Sequence, residues 1–391
     1  MHFGFSAAEL TLRDQVRDFV RREVRPLEQR IEEEGVIPEH LLRRMRELGL
    51  FGLSIPAAYG GLELPLVAEI LVLEEIATTN LCLRTRITTN SGIGAMGLVY
   101  EGSEELKRAY LPKLARGEAI ASLALTEPNA GSDAAAIQTR AVDDGDAYVL
   151  NGQKIWVSNG PHASYYTILA KTNPAAGNRG MTAFFVERQT PGLDLGPVDR
   201  LMGLRGAATC ELRLHDCRVP KRNVIGEVNK GFRVAMRALD KGRLGMAAGG
   251  LGAAGRLQES CREYAAAQAG KRAGNGAGFG VRGRRGRLAE LLAANETEIY
   301  ALRLLLYTTA ARMGRGERCS TEASMAKFFG TEVVNRVADR AVDFFGILGL
   351  QADGAAASLV ERMYRDTRIM RIYDGSAEIQ RLIVARALLA G

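Results

Sequence analysis

The hydrophobic period of this chain changes twice, and few architectures accommodate that order. Up to about Glu118, apolar residues recur at helical spacing. From about Ala119 to Lys230, short runs rich in β-branched and aromatic residues alternate with turns. From about Gly231 the helical period returns. A chain of 391 residues is long enough for two or three cores. The expected fold is therefore multidomain α and β. Residues 1–118 form an N-terminal α-helical domain, 119–230 a small antiparallel barrel or sandwich, and 231–391 a C-terminal bundle of four long helices.

Within the first region, Leu12, Val16, Phe19 and Val20 mark one helix that Pro26 ends or bends, and His40 to Leu48 marks a second. Further helices are expected over Leu66 to Thr78, Thr89 to Tyr100 and Glu104 to Leu114. Strands are expected over Ala119 to Thr126, Ala147 to Leu150, Gln153 to Ser158, Tyr165 to Lys171 and Met181 to Glu187. Asp144-Gly145 and Asn151-Gly152 read as hairpin turns between them. The bundle helices are expected over Phe232 to Ala267, Arg287 to Met313, Thr321 to Phe345 and Glu378 to Leu389.

Composition narrows the function. The net charge of +7 would suit a nucleic-acid binder, but Gly270 to Arg287 alone carries six basic residues, no acid and seven glycines. Without that segment the charge falls to +1, so the excess is one loop and not a basic face; no nucleic-acid partner is expected. No apolar run reaches membrane-spanning length, so no membrane insertion is expected. Glu9, Asp14 and Asp18 interrupt the N-terminal helix, which therefore lacks the character of a leader; a cytoplasmic location is expected. The five cysteines (Cys82, Cys210, Cys217, Cys261, Cys319) form no CxxC and have no histidines at zinc spacing. They read as small buried apolar residues, and no metal is expected.

Four segments carry chemistry-bearing residues. Leu125-Thr-Glu-Pro-Asn-Ala-Gly-Ser-Asp133 runs from a strand into a turn dense in hydroxyls and backbone amides. It is either an ordinary capped turn or a seat for a flat, polar-edged ring. Gly152-Gln-Lys-Ile-Trp-Val-Ser-Asn-Gly160 holds Trp156, the only tryptophan, two residues before Ser158. The indole is either core or a cover for a ring edge. Asp240 and Arg243 share a helix face, as a surface pair or as part of a ligand site. In Ile372-Tyr-Asp-Gly-Ser-Ala-Glu-Ile-Gln-Arg381, Asp374 precedes a Gly-Ser turn whose Ser376 caps a helix. Asp374 is either a turn residue or a placed carboxylate.

Taken in this order and at these distances, the four segments resemble the acyl-CoA dehydrogenase family over essentially the whole chain. Leu48-Gly-Leu-Phe-Gly-Leu53, Tyr59-Gly-Gly61, Tyr110-Leu-Pro-Lys-Leu-Ala-Arg-Gly-Glu118, Arg218-Val-Pro220 and Thr321-Glu-Ala-Ser-Met-Ala-Lys327 extend the likeness. The resemblance implies an N-terminal α-helical domain, a middle antiparallel β-barrel and a C-terminal four-helix bundle, usually assembled as a homotetramer (a homodimer being the smaller alternative). It implies FAD between barrel and bundle, contacted by Leu123, Leu125, Thr126, Trp156, Ser158, Ser376 and Glu378. It implies an acyl-CoA or acyl-carrier thioester held by Ser132, Asp240, Arg243 and Gly375. The implied reaction is α,β-dehydrogenation, as in fatty-acid β-oxidation. A carboxylate removes the α-proton, the β-hydrogen leaves as hydride to flavin N5, and an electron-transfer flavoprotein takes the electrons.

The chain departs from the family pattern in three places. Asp374 stands where a catalytic glutamate is usual, and Gly242 stands where other branches place their base, which leaves Asp374 as the expected base. Its arm is one carbon shorter, and a misplacement of ~1 Å can cost ~100-fold in rate. The glycine-rich basic segment replaces the family's Arg-x-Gln-Phe-Gly, with Arg272 or Arg282 as possible stand-ins. Asp343 replaces a glutamine expected near the FAD diphosphate, where an acid is unfavourable. Two alternatives follow from these departures: a nitroalkane-oxidase-like flavin oxidase with an aspartate base, and a non-catalytic CoA-binding paralogue.

Overall fold

Ser6 starts the first helix: its hydroxyl accepts from the Glu9 amide while the Glu9 carboxylate accepts from the Ser6 amide, a reciprocal cap. The computed structural model describes residues 4–270, 284–352 and 355–389, so Arg272, Arg282 and most of the glycine-rich segment lie outside the described residues. Helix α1 (Ala7–Phe19) buries Val16 and Phe19. Pro26 bends the chain through a tight turn at Arg25–Leu27 and does not end it, because α2 (Glu28–Glu34) follows at once. Then come α3 (Glu39–Glu47), α4 (Leu66–Ile76), α5 (Leu81–Ile87), α6 (Met96–Glu101) and α7 (Glu104–Ala115).

The span expected as a helix, Thr89 to Tyr100, is a wide helical turn followed by α6, and the helical path already begins at Leu81 with α5. All seven residues of α5 are buried, two arginines included, so it presents no polar stripe from which to read a helical period. After α5 the chain passes through a wide helical turn at Thr88–Gly94. There the buried Asn90 donates to the Phe51 and Leu114 carbonyls and accepts from the Ala121 amide, tying this turn to the first strand.

The middle region is one eight-stranded sheet: β1 (Ala121–Ala124), β2 (Arg140–Asp144), β3 (Ala147–Ser158), β4 (Tyr165–Lys171), β5 (Met181–Glu187), β6 (Leu193–Val198), β7 (Thr209–Pro220) and β8 (Val224–Ile225). Its order is β6-β7-β3-β2-β4-β5-β8, with β1 added beside β4. Pairing is antiparallel except where β1 runs parallel to β4 and where Arg140 meets Lys171. Asp144-Gly145 is a hairpin turn between β2 and β3, as expected. Asn151-Gly152 is not a turn. It lies inside β3, where the register with β7 shifts between Leu150 and Gly152. Gly152 has φ +152°, and a Cβ there would meet the Thr139 hydroxyl oxygen at 2.5 Å, so the glycine serves a bulge with close backbone approach.

Among the described residues the last region holds five helices, one more than expected: α8 (Gly231–Gly270), α9 (Arg284–Gly314), α10 (Ser320–Phe345), α11 (Ala355–Arg368) and α12 (Ala377–Leu389). The unexpected α11 did carry a helical signal, since Leu359, Val360 and Met363 recur on one face and are all buried. The N-terminal helices and the bundle share one core, in which Ile70, Leu73 and Ile76 join Leu244, Ala248 and Leu251. A second core joins α6 and α7 to β1, β4 and β5, and a third fills the other side of the sheet. The five cysteines are free and buried, Cys82 and Cys261 in the first core and Cys210 and Cys217 in the third. Among the described residues no helix is long and apolar enough to cross a membrane.

Helices α4 and α8 touch almost backbone to backbone. A Cβ on Gly252 would lie 2.2 Å from the Glu74 carbonyl oxygen. Gly252→Ala is expected to lower stability by about 1–3 kcal/mol through forced separation of the two helices, read as a fall in the thermal midpoint.

Candidate active site

Where α5, α8, the end of β3 and the turn before α12 converge, they line a cleft that is partly open to solvent. Arg84 and Thr85 line it from α5, Thr88 and Ile93 from the wide turn, Gly242 and Gly245 from α8, Ser158 from β3, and Tyr373 and Asp374 from the C-terminal turn. Gly242 and Gly245 leave that side of α8 without side chains, which keeps the cleft open. Gly242 thus borders the same space as Asp374.

The Asp374 turn is held from three sides. Asp374 has φ +52° and Gly375 φ +80°, a left-handed pair that glycine and aspartate tolerate better than most residues. Buried Lys327 donates to the Gly375 carbonyl at 2.7 Å. Gln380 donates to the carbonyls of Gly375 at 3.0 Å and Asp374 at 3.4 Å. Ser376 caps α12 by accepting from the Ile379 amide at 3.4 Å, as expected. Burial raises the Asp374 carboxyl above the ordinary aspartate range, while Arg84, Lys327 and Arg243 pull the other way. Burial likewise pushes Lys327 down to about 8.

The two strand segments are fastened to each other. The Ser122 hydroxyl donates to the Ser158 carbonyl, and the Ile155 amide donates to the Thr126 carbonyl at 2.9 Å. Lys154, fully buried, reaches the Leu125 carbonyl at 3.1 Å and the Glu127 carboxylate at 2.7 Å. Glu127 also accepts from the amides of Gln138 and Thr139 and from the Thr139 hydroxyl. Although burial acts to raise the Glu127 carboxyl, Lys154 and these donors outweigh it and hold it below the usual range. Leu123, Leu125, Thr126 and Ser158 are all half-buried beside this joint. Trp156 is not core. It is 59% exposed, sits at φ +56°, and falls where the β3–β7 register shifts.

The remaining expected residues are placed unevenly. Arg243 is buried, donating to Asp240 at 2.6 Å and to Ser324 at 3.3 Å, with Ser320 donating to Asp240 at 3.4 Å. The pair is therefore tied to α10 and is not a free surface pair. Ser132 is exposed on its turn, and Glu378 is exposed on the first turn of α12. Asp343 pairs with Arg287 at 3.5 Å, both well exposed.

The sequence reading missed several residues of the cleft. Glu69 lines it and is tied to Lys241 at 2.8 Å and to Ser54 at 2.9 Å. Arg84 lines it with no ion-pair partner among the described residues. A signal for Arg84 existed: no acid occurs between Ala77 and Tyr100, so neither Arg84 nor Arg86 has a carboxylate within a helical turn.

The residues present fit a flavin ring. A lone tryptophan held out of the core lies beside half-buried hydroxyls and leucines at the end of the strand that borders the cleft. Comparison with known proteins agrees with this geometry. The models of the N-terminal, middle and C-terminal acyl-CoA dehydrogenase domains match residues 6–118, 122–217 and 229–389. A Bacillus subtilis protein named acyl-CoA dehydrogenase is 37% identical over 385 residues, spanning 98% of each chain. Subunit CarC of the caffeyl-CoA reductase-Etf complex of Acetobacterium woodii is 35% identical, covering 98% of this chain and 99% of that one. The structure of butyryl-CoA dehydrogenase from Megasphaera elsdenii superposes with a TM-score of 0.91 at 31% identity, covering 100% of both chains.

Proposed function

Because the chain belongs to the acyl-CoA dehydrogenase family, and so is an FAD-dependent oxidoreductase acting on a CH–CH bond, we propose that Asp374 is the base that begins its reaction. The observation that carries this reading is the cleft: Asp374 borders it from one side and the strand bearing Trp156 and Ser158 borders it from another. Asp374 takes the α-proton of an acyl-CoA thioester placed between them. Burial strengthens it as a base, and Arg84, Lys327 and Arg243 keep it ionised. Lys327 and Gln380 hold the turn, so the shorter aspartate arm is aimed by a rigid backbone. When bound, FAD supplies the acceptor for the β-hydrogen.

Leu123, Leu125, Thr126, Trp156, Ser158, Ser376 and Glu378 hold the flavin in this reading. Ser132, Asp240, Arg243 and Gly375 hold the thioester. The division at residues 118 and 230 then separates three parts that meet at one site. An electron-transfer flavoprotein is the electron acceptor, a reading that the similarity to an Etf-complex subunit supports. Exposed Ile347, Leu350, Leu388 and Leu389 on the bundle support self-association into a homodimer or homotetramer, which we place in the cytoplasm.

The test is anaerobic bleaching of the purified yellow protein by a panel of acyl-CoA thioesters. Loss of the flavin absorbance band with at least one thioester is expected; no bleaching with any of them would refute the reading. A pH profile checks the base. The carboxylate must be ionised to work, and its pKa is raised, so activity should be lost on acidification at a midpoint above the ordinary ~3.9 of aspartate. An acid limb at or below that value would contradict a buried base.

A further inference from the structure

Resting on Asp374 as the base, we infer that this cleft is built for a short acyl thioester whose far end carries a carboxylate, received by Arg84 and Tyr373. Arg84 is 2% exposed and lines the cleft. A guanidinium carries its charge permanently, and an unpaired one in a protein interior is costly. Yet among the described residues every hydrogen-bond partner of this arginine is neutral: the Tyr373 hydroxyl at 2.9 Å, the Thr85 hydroxyl at 3.4 Å, Met246 Sδ at 3.4 Å and the Gly245 carbonyl at 3.5 Å. Its Nε has no acceptor among the described residues. Asp374 is near enough to feel its charge but forms no ion pair with it.

The site is constructed around this side chain. A Cβ on Gly249 would come within 2.8 Å of Arg84 Cδ, so the glycine makes room for the arginine stem. The Tyr373 oxygen accepts from Arg84, and its own O–H proton meets no acceptor among the described residues. Burial raises the Tyr373 hydroxyl above its ordinary range, so it stays protonated and able to donate. Arginine Nε–H and tyrosine O–H are together a pair of donors suited to the two oxygens of one carboxylate. The cleft's other cation, Lys241, is already neutralised by Glu69. A plain alkyl chain would leave Arg84 unpaired and dry; a terminal carboxylate supplies the missing anion.

The experiment compares the flavin-loaded enzyme on mono-CoA thioesters of four- to six-carbon dicarboxylic acids and on equal-length thioesters ending in methyl. Wild type should favour the acidic series by about 100-fold or more in kcat/KM. Arg84→Met should remove most of that preference, while Tyr373→Phe should weaken it with the arginine in place. Equilibrium binding of both series to the Asp374→Asn protein should show the same ranking without turnover. Bleaching by both series with equal efficiency, or an Arg84→Met variant that loses both in proportion, would overturn the inference while leaving the base in place. No bleaching by either series would overturn both readings. If Arg84→Met does not fold, the wild-type ratio and Tyr373→Phe still decide.

Discussion

Asp374→Asn is expected to lower thioester dehydrogenation by roughly 10²- to 10⁴-fold, the usual contribution of a positioned general base. Asparagine keeps the size of the side chain and does not touch the contacts that hold the turn, which run to backbone carbonyls from Lys327 and Gln380. The variant should therefore fold, stay yellow and still bind thioester. Asp374→Glu keeps a carboxylate and should retain more activity than the asparagine variant. If Asp374→Asn turns over at the wild-type rate, the proton leaves through another group. Glu69 is then the first suspect, as the other carboxylate lining the cleft.

The second large effect is structural. Glu127→Ala leaves Lys154 fully buried with only the Leu125 carbonyl, and it strips the Gln138 and Thr139 amides of their acceptor. Breaking a buried ion pair from one side typically costs about 3–5 kcal/mol. A fall of that size is expected in urea unfolding, with Trp156 as a built-in fluorescent reporter, since it is the only tryptophan and lies two residues from Lys154. The pH sign follows from the lowered Glu127 carboxyl. Its contribution to wild-type stability is fully present above the ordinary glutamate pKa and is lost as pH falls through its lower folded value. The stability gap between wild type and Glu127→Ala should therefore narrow on acidification.

The order of helix, sheet and bundle was legible because each region keeps one period over many residues. Legibility failed where burial is complete on all sides. Helix α5 has no polar face, so its seven residues gave no amphipathic signal, and with it went Arg84. The Asn151-Gly152 pair looked like a turn because that dipeptide suits left-handed backbone. In the fold, its glycine serves a bulge in a strand that continues.

At the site, Asp374 and Ser158 could be named from motifs, and the cleft joins them. Ser376 was foreseen as a cap from local chemistry alone and does cap α12. Trp156 reads from sequence as core or cover, and its exposure takes it out of the core. What no local pattern could give was the company these residues keep. Arg84 and Tyr373 are 289 positions apart and meet through the packing of α5 against the C-terminal turn. The Lys327 contact with the Gly375 carbonyl bridges 48 positions.

The account stands on one proton transfer, and isotope exchange reads it directly. A CoA thioester deuterated at the α-carbon, with its β-position blocked against oxidation, is incubated with the enzyme in ordinary water and followed by NMR. Wild type should wash the label out, and Asp374→Asn should leave it in place over the same period. Equal washout by both proteins would show that the α-proton does not leave through Asp374.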